Sequence, residues 1–146
     1  MAQSPNRLVA TIVGGIYVGL GLVGFTATAG LDVASTTGGY LFGVFGVNVL
    51  QNVLHVAIGA ALLGCGLTGL RAAKTANSAV GTALLVLGLV GLFAIGTEWN
   101  ALALNGADNV LHFGTSIVLL AVGLGADKDT PAKGTAGTDP AGTTPA

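Results

Sequence analysis

The chain reads as an all-α integral membrane protein: four transmembrane helices forming a duplicated two-helix hairpin, with both termini cytoplasmic. Three observations lead there. Charged residues make up 8% of 146 and mean hydropathy is +0.82, far from the balance that solvates a soluble domain. Four apolar stretches are each long enough to cross a hydrocarbon core of about 30 Å. Finally, Asn48-Val49-Leu50-Gln51-Asn52-Val53-Leu54-His55 and Asn105-Gly106-Ala107-Asp108-Asn109-Val110-Leu111-His112 share the pattern N-x3-N-V-L-H, 57 positions apart, and hold the only two histidines.

The helices are expected at about 8–26, 49–70, 76–96 and 106–124, within a membrane domain of residues 1–125. Between Leu8 and Leu70 the only formal charge is Asp32, and from Thr75 to Ala126 the only ones are Glu98 and Asp108. Pro5, Pro131, Pro140 and Pro145 all fall outside these spans, so no helix needs a proline kink. A membrane β-barrel would need alternating polar and apolar residues, and these runs do not alternate. Arg7, the first apolar run and Ala27-Thr28-Ala29 superficially resemble a cleavable signal. The run exceeds a signal core of about 7–15 residues. Its Val13-Gly14 and Gly21-Leu22-Val23-Gly24 also recur as Val80-Gly81 and Gly88-Leu89-Val90-Gly91, 67 positions on. A segment with an internal counterpart is a retained element.

These offsets make helices one and two the counterparts of helices three and four, both units inserting the same way up. The expected pseudo-two-fold axis then lies along the membrane normal. The first outer connection, about Ala27 to Asn48, contains Tyr40-Leu41-Phe42-Gly43-Val44-Phe45, a short interfacial segment. The five basic residues (Arg7, Arg71, Lys74, Lys128 and Lys133) all fall on one side of a four-span topology, which the positive-inside rule makes cytoplasmic. Asp32, Glu98, Asp108, Tyr40, Trp99 and both histidine motifs belong to the outer side. Residues 126–146, rich in Thr, Ala, Gly and Pro, read as a disordered cytoplasmic tail.

Lipid is as apolar as leucine, so small residues must hold the helices together. The expected small-residue faces are Gly15-x3-Gly19, Ala60-x3-Gly64 and Gly88-x2-Gly91. Cys65, the single cysteine, excludes an intramolecular disulfide.

Asparagine is among the best N-cap residues, and a Gln or acidic residue three positions later can close a reciprocal box. Asn48 with Gln51, and Asn105 with Asp108, are therefore expected caps for the second and fourth helices. Capping leaves Asn52, His55, Asn109 and His112 unused. Positions three apart share a helix face, and polar groups at this depth turn toward the bundle interior. The repeat axis should bring both Asn-His pairs together near the outer face, with the histidines within about 10 Å and the asparagines in hydrogen-bonding reach.

Four readings apply to this cluster. It fixes helix register by hydrogen bonds; it holds a haem or transition metal at His55 and His112; it opens a proton or small-solute route; or it docks a membrane-protein partner. The primary expectation is a non-enzymatic structural or accessory component without a cofactor, the alternative a haem- or metal-binding redox protein. Its partners are the lipid bilayer and a membrane protein or second copy of itself. No phosphate loop, Ser-His-Asp arrangement or C-x-x-C-H haem attachment is present, and nothing is basic enough for nucleic acid. Ser116, one turn below His112, suits helix bonding better than nucleophilic catalysis.

The Gly-rich first helix, Phe45-x2-Asn48-x3-Asn52-x2-His55 and Asn105-x2-Asp108-Asn109-x-Leu111-His112 resemble a bacterial membrane family, domain of unknown function 4383. The resemblance covers about Leu8 to Gly125. It implies a small four-helix protein of the bacterial cytoplasmic membrane with no established activity. Where the family pattern has a histidine before the second Asn of the first motif, this chain has Gln51, which removes one imidazole from any shared metal set.

Overall fold

The computed structural model describes residues 4–127, in which four helices are long and apolar enough to cross a membrane. They are α1 (Pro5–Gly24), α2 (Val49–Thr68), α3 (Leu70–Ala94) and α4 (Gly106–Gly125). A 20-residue helix spans about 30 Å, one hydrocarbon thickness. The tail expected at 126–146 lies outside the described residues apart from Ala126 and Asp127.

Helix ends follow local chemistry more closely than hydropathy. The Ser4 side chain accepts from Arg7 N, and Pro5 sits where a missing N–H costs nothing, so α1 starts at Pro5 instead of Leu8. Gly69 stops α2 two residues early, and α3 begins at Leu70, six residues before its apolar run. Leu70, Arg71, Ala72, Ala73 and Lys74 are all good helix formers. Arg7 spans the α1–α2 seam, its Nε donating to Gly66 O at 3.0 Å and Nη2 to Leu67 O at 3.1 Å. A cation thus satisfies the last carbonyls of α2.

The fold is not wholly helical. The stretch expected to be a short interfacial segment is a β-hairpin, β1 (Gly39–Leu41) antiparallel to β2 (Phe45–Val47). Three residues separate the paired Leu41 and Phe45. Val44 N closes a turn on Leu41 O around Phe42 and Gly43, whose φ values are both positive (54° and 70°), as type I′ turns require at their central positions. A phenylalanine there runs against the usual Asn-Gly signal, which is why the sequence does not announce the turn. Tyr40, Phe42 and Val44 project outward while Leu41 and Val47 are buried.

α1 packs chiefly on α2 and α3 on α4. The polarity is inverted relative to a soluble protein. Ile12, Ile16, Leu22, Val86, Val90 and Ile117 are exposed, while Asn6, Asn52, His55, Asn77, Asp108, Asn109, His112 and Ser116 are buried. Inside, Ala10, Tyr17, Leu62, Ala73, Leu84 and Leu119 form one core.

Two of the three expected glycine faces are wrong. Gly15, Gly19 and Gly64 have open space where a side chain would stand, and Ala60 is exposed. The seams instead use Gly14, Gly21, Gly24, Gly59 and Gly66 between α1 and α2, and Gly81, Gly88, Gly91 and Gly123 between α3 and α4. Spacing alone offered several glycine registers, and only contact with the neighbouring helix selects one.

At the terminal end of the bundle Asn77 Nδ2 donates to Asn6 O and Oδ1, both at 3.0 Å, and Asn6 N and Nδ2 donate to Asp127 Oδ2. These Asn6 hydrogen bonds, with the Lys74 charge nearby, hold the Asp127 carboxyl below its usual range. The linked stabilisation is fully present above the ordinary aspartate range and fades as pH falls through the depressed value. Thermal unfolding across acid pH should therefore lose part of its pH dependence in Asp127→Asn.

Candidate functional site

The helix starts that face the β-hairpin carry the polar motifs. Asn48 caps α2 through Oδ1, which accepts from Gln51 N at 2.8 Å. Asn105 caps α4 in a full box: its Oδ1 accepts from Ala107 N and Asp108 N, and Asp108 Oδ2 accepts from Asn105 N at 2.9 Å. The box expected at Asn48 and Gln51 does not close. Gln51 turns inward instead and donates through Nε2 to Asp108 Oδ1 at 3.3 Å. Asp108 also accepts from Gly46 N at 3.1 Å. One buried carboxylate thereby ties β2, α2 and the start of α4, using only neutral N–H donors.

The cap amides do more than the sequence indicates. Asn48 Nδ2 donates to Ala101 O at 2.8 Å and to Ser35 O at 3.0 Å. Asn105 Nδ2 donates to Val44 O at 2.8 Å. Each cap therefore reaches the carbonyl four residues before the other cap, a reciprocal pair.

About two turns below the caps, His55 and His112 face each other with ring centroids 6.2 Å apart and planes tilted by 57°. Tyr17, which sequence reading missed, stands edge-on to His55 at 5.2 Å; it looked like one more apolar residue of α1. The expected Asn–His hydrogen bonds are absent among the described residues. Asn52 lies against Gly24 and donates weakly to Thr28 Oγ1 at 3.4 Å, and Asn109 lies against Gly91. Both asparagines point across their own helix pair, because the missing Cβ of a glycine opens room there and not toward the histidines.

Several buried polar atoms have no hydrogen-bond partner: both nitrogens of His55, Nδ1 of His112, Oδ1 of Asn52, Oε1 of Gln51 and both amide atoms of Asn109. Buried polar atoms almost always find partners, so this cluster has unused hydrogen-bonding and ligating capacity. Ser116 lies outside it, donating to Gly81 O at 2.8 Å as a helix-to-helix fastener. Cys65, ten residues from His55 on α2, is half-buried. No group of three His, Cys, Asp or Glu side chains with metal-binding proximity occurs among the described residues.

A family model described as Domain of unknown function (DUF4383) matches residues 7–125. No curated protein and no solved structure matches the chain.

Proposed function

The chain belongs to the family described as Domain of unknown function (DUF4383), and on that footing we propose that it is a structural or accessory component of the bacterial cytoplasmic membrane. In this reading it is non-enzymatic and is built from two equivalent helix hairpins. Both termini face the cytoplasm, and the Asn52, His55, Asn109 and His112 cluster sits near the outer face.

The reciprocal Asn48 to Ala101 and Asn105 to Val44 bonds carry this reading. Such exchange, with i meeting j and j meeting i, is the mark of a two-fold relation. Burial supports it. The buried positions Asn6, Ala10, Gly14, Tyr17, Gly21 and Gly24 of α1 recur 67 residues on in α3, and those of α2 recur 57 residues on in α4. Contacts recur as well: Gly24 meets Asn52 as Gly91 meets Asn109, and Gly66 meets Thr11 as Gly123 meets Ser78. Most of the buried polar chemistry is spent joining elements, which suits a scaffold. A lipid surround and a membrane-protein partner or second copy belong to this reading. The unpartnered imidazole nitrogens favour a second one, ligation of a haem or transition metal by His55 and His112.

Orientation is tested by labelling intact cells with a membrane-impermeant thiol reagent in a Cys65→Ser background. Gly38 and Asn100, natural choices from sequence, are poor sites: a side chain at Gly38 would meet Val47 O, and Asn100 is buried and hydrogen-bonded to Leu104. Cysteines at Thr36 and Glu98, both exposed, should react, and one at Thr138 should not. The reverse pattern would overturn the orientation.

A further inference from the structure

We propose that His55 and His112 clasp a single cuprous ion between α2 and α4. This deepens the metal-binding reading and rests on the same histidine pair. The two side chains are 4% and 1% exposed, and at least three of their four nitrogens lack a partner. Imidazole suits copper among other first-row metals. A metal–nitrogen distance of about 2 Å, with each ring centre about 1 Å further on, makes two arms in line span about 6 Å. The observed centroid separation is 6.2 Å. A tetrahedral angle at the ion would draw the rings to about 5 Å, so the spacing suits a near-linear, two-coordinate ion. Such an axis leaves ring rotation free, and the 57° tilt is no obstacle.

Charge selects the monovalent state. Asp108 lies four positions before His112, on the same face of α4, and all of its partners are neutral N–H groups. Two neutral imidazoles and one carboxylate are balanced by one positive charge. A divalent ion would leave a net charge in hydrocarbon, which is costly. The surroundings also offer no group of three strong donors among the described residues, whereas zinc ordinarily takes four ligands. Cys65 is about 15 Å along α2 from His55 and belongs to no such site.

The test uses the full chain carrying Cys65→Ser, purified without oxygen in detergent and titrated with Cu(I) against a chromogenic competitor. Apart from Met1 the chain then contains no sulfur. One ion per chain is expected, with X-ray absorption showing two imidazole nitrogens and no sulfur, and with a rise in melting temperature on binding. His55→Gln and His112→Gln should each lower affinity by more than about tenfold, since even outer partners of metal ligands contribute that much. Absence of Cu(I) binding, a spectrum without imidazole, or unchanged affinity in a folded variant would overturn the proposal. The spectrum is taken with both histidines in place, so it decides the matter even if a variant fails to fold. Failure here with the labelling pattern intact rejects the ion and leaves the scaffold reading standing.

Discussion

Gly14→Ala and Gly59→Ala are each expected to destabilise the bundle by about 1–3 kcal/mol, the usual cost of forcing atoms into a packed interior. Gly15→Ala and Gly64→Ala should be neutral or stabilise it by up to about 1 kcal/mol, the gain in helix propensity over glycine. The two pairs are chemically identical changes on the same two helices. A Cβ on Gly14 would stand 2.5 Å from Leu63 N and 2.7 Å from Gly59 O, and one on Gly59 would stand 2.5 Å from Val18 N. These obstacles are backbone, which cannot swing aside, so α1 and α2 must part. In a membrane there is little hydrophobic gain to compensate, because the helices are held by close van der Waals fit. Nothing lies within 4 Å of a Cβ at Gly15 or Gly64. Unfolding of purified protein in mixed micelles measures all four. Equal effects at the neighbouring glycines would mean that α1 and α2 do not meet along this seam.

The Gly14 and Gly15 contrast also shows where the sequence stops being legible. Hydropathy located four spans because the energetic demand of lipid is non-specific and acts on every residue of a span. The N-x3-N-V-L-H recurrence located the polar cluster because buried Asn and His are costly enough to stand out. Which glycine of an adjacent pair touches a neighbour depends on a rotation of about 100° per residue about the helix axis, and many glycines make every register look acceptable. The hairpin was hidden for another reason: Phe42 occupies a left-handed position that glycine or asparagine usually marks. Tyr17 was hidden by its apolar neighbours. The pairing of Gln51 with Asp108 was hidden because capping offered each residue a partner in its own motif.

Capping likewise gives a misleading expectation at Asn48, where sequence alone predicts that aspartate would substitute freely. Aspartate accepts from first-turn amides as well as asparagine does and suits the helix dipole. The structure reverses that expectation. Asn48 is fully buried, and its Nδ2 donates to Ser35 O and Ala101 O. Asn48→Asp would set a carboxylate oxygen against two carbonyl oxygens and leave both without their donor. Ser35 is only half-buried and Ala101 is exposed, so water can take over part of what the lost donor gave. With the repulsion of a buried carboxylate against both carbonyls, a loss of about 1–3 kcal/mol is expected. Asn48→Ser keeps a capping oxygen without the added charge and should cost less. Asn48→Ala, which loses the cap as well, adds about 1 kcal/mol to the serine value. Asn105→Asp should be milder than Asn48→Asp, because Asn105 gives its amide to one carbonyl, Val44 O, at a more exposed position. The ranking Ser, then Ala and Asp, is the readout in micelle unfolding. An Asn48→Asp protein as stable as the parent would show that the cross-bundle amide bonds contribute nothing. The reciprocal pairing of the two helix starts would then no longer support a two-fold scaffold.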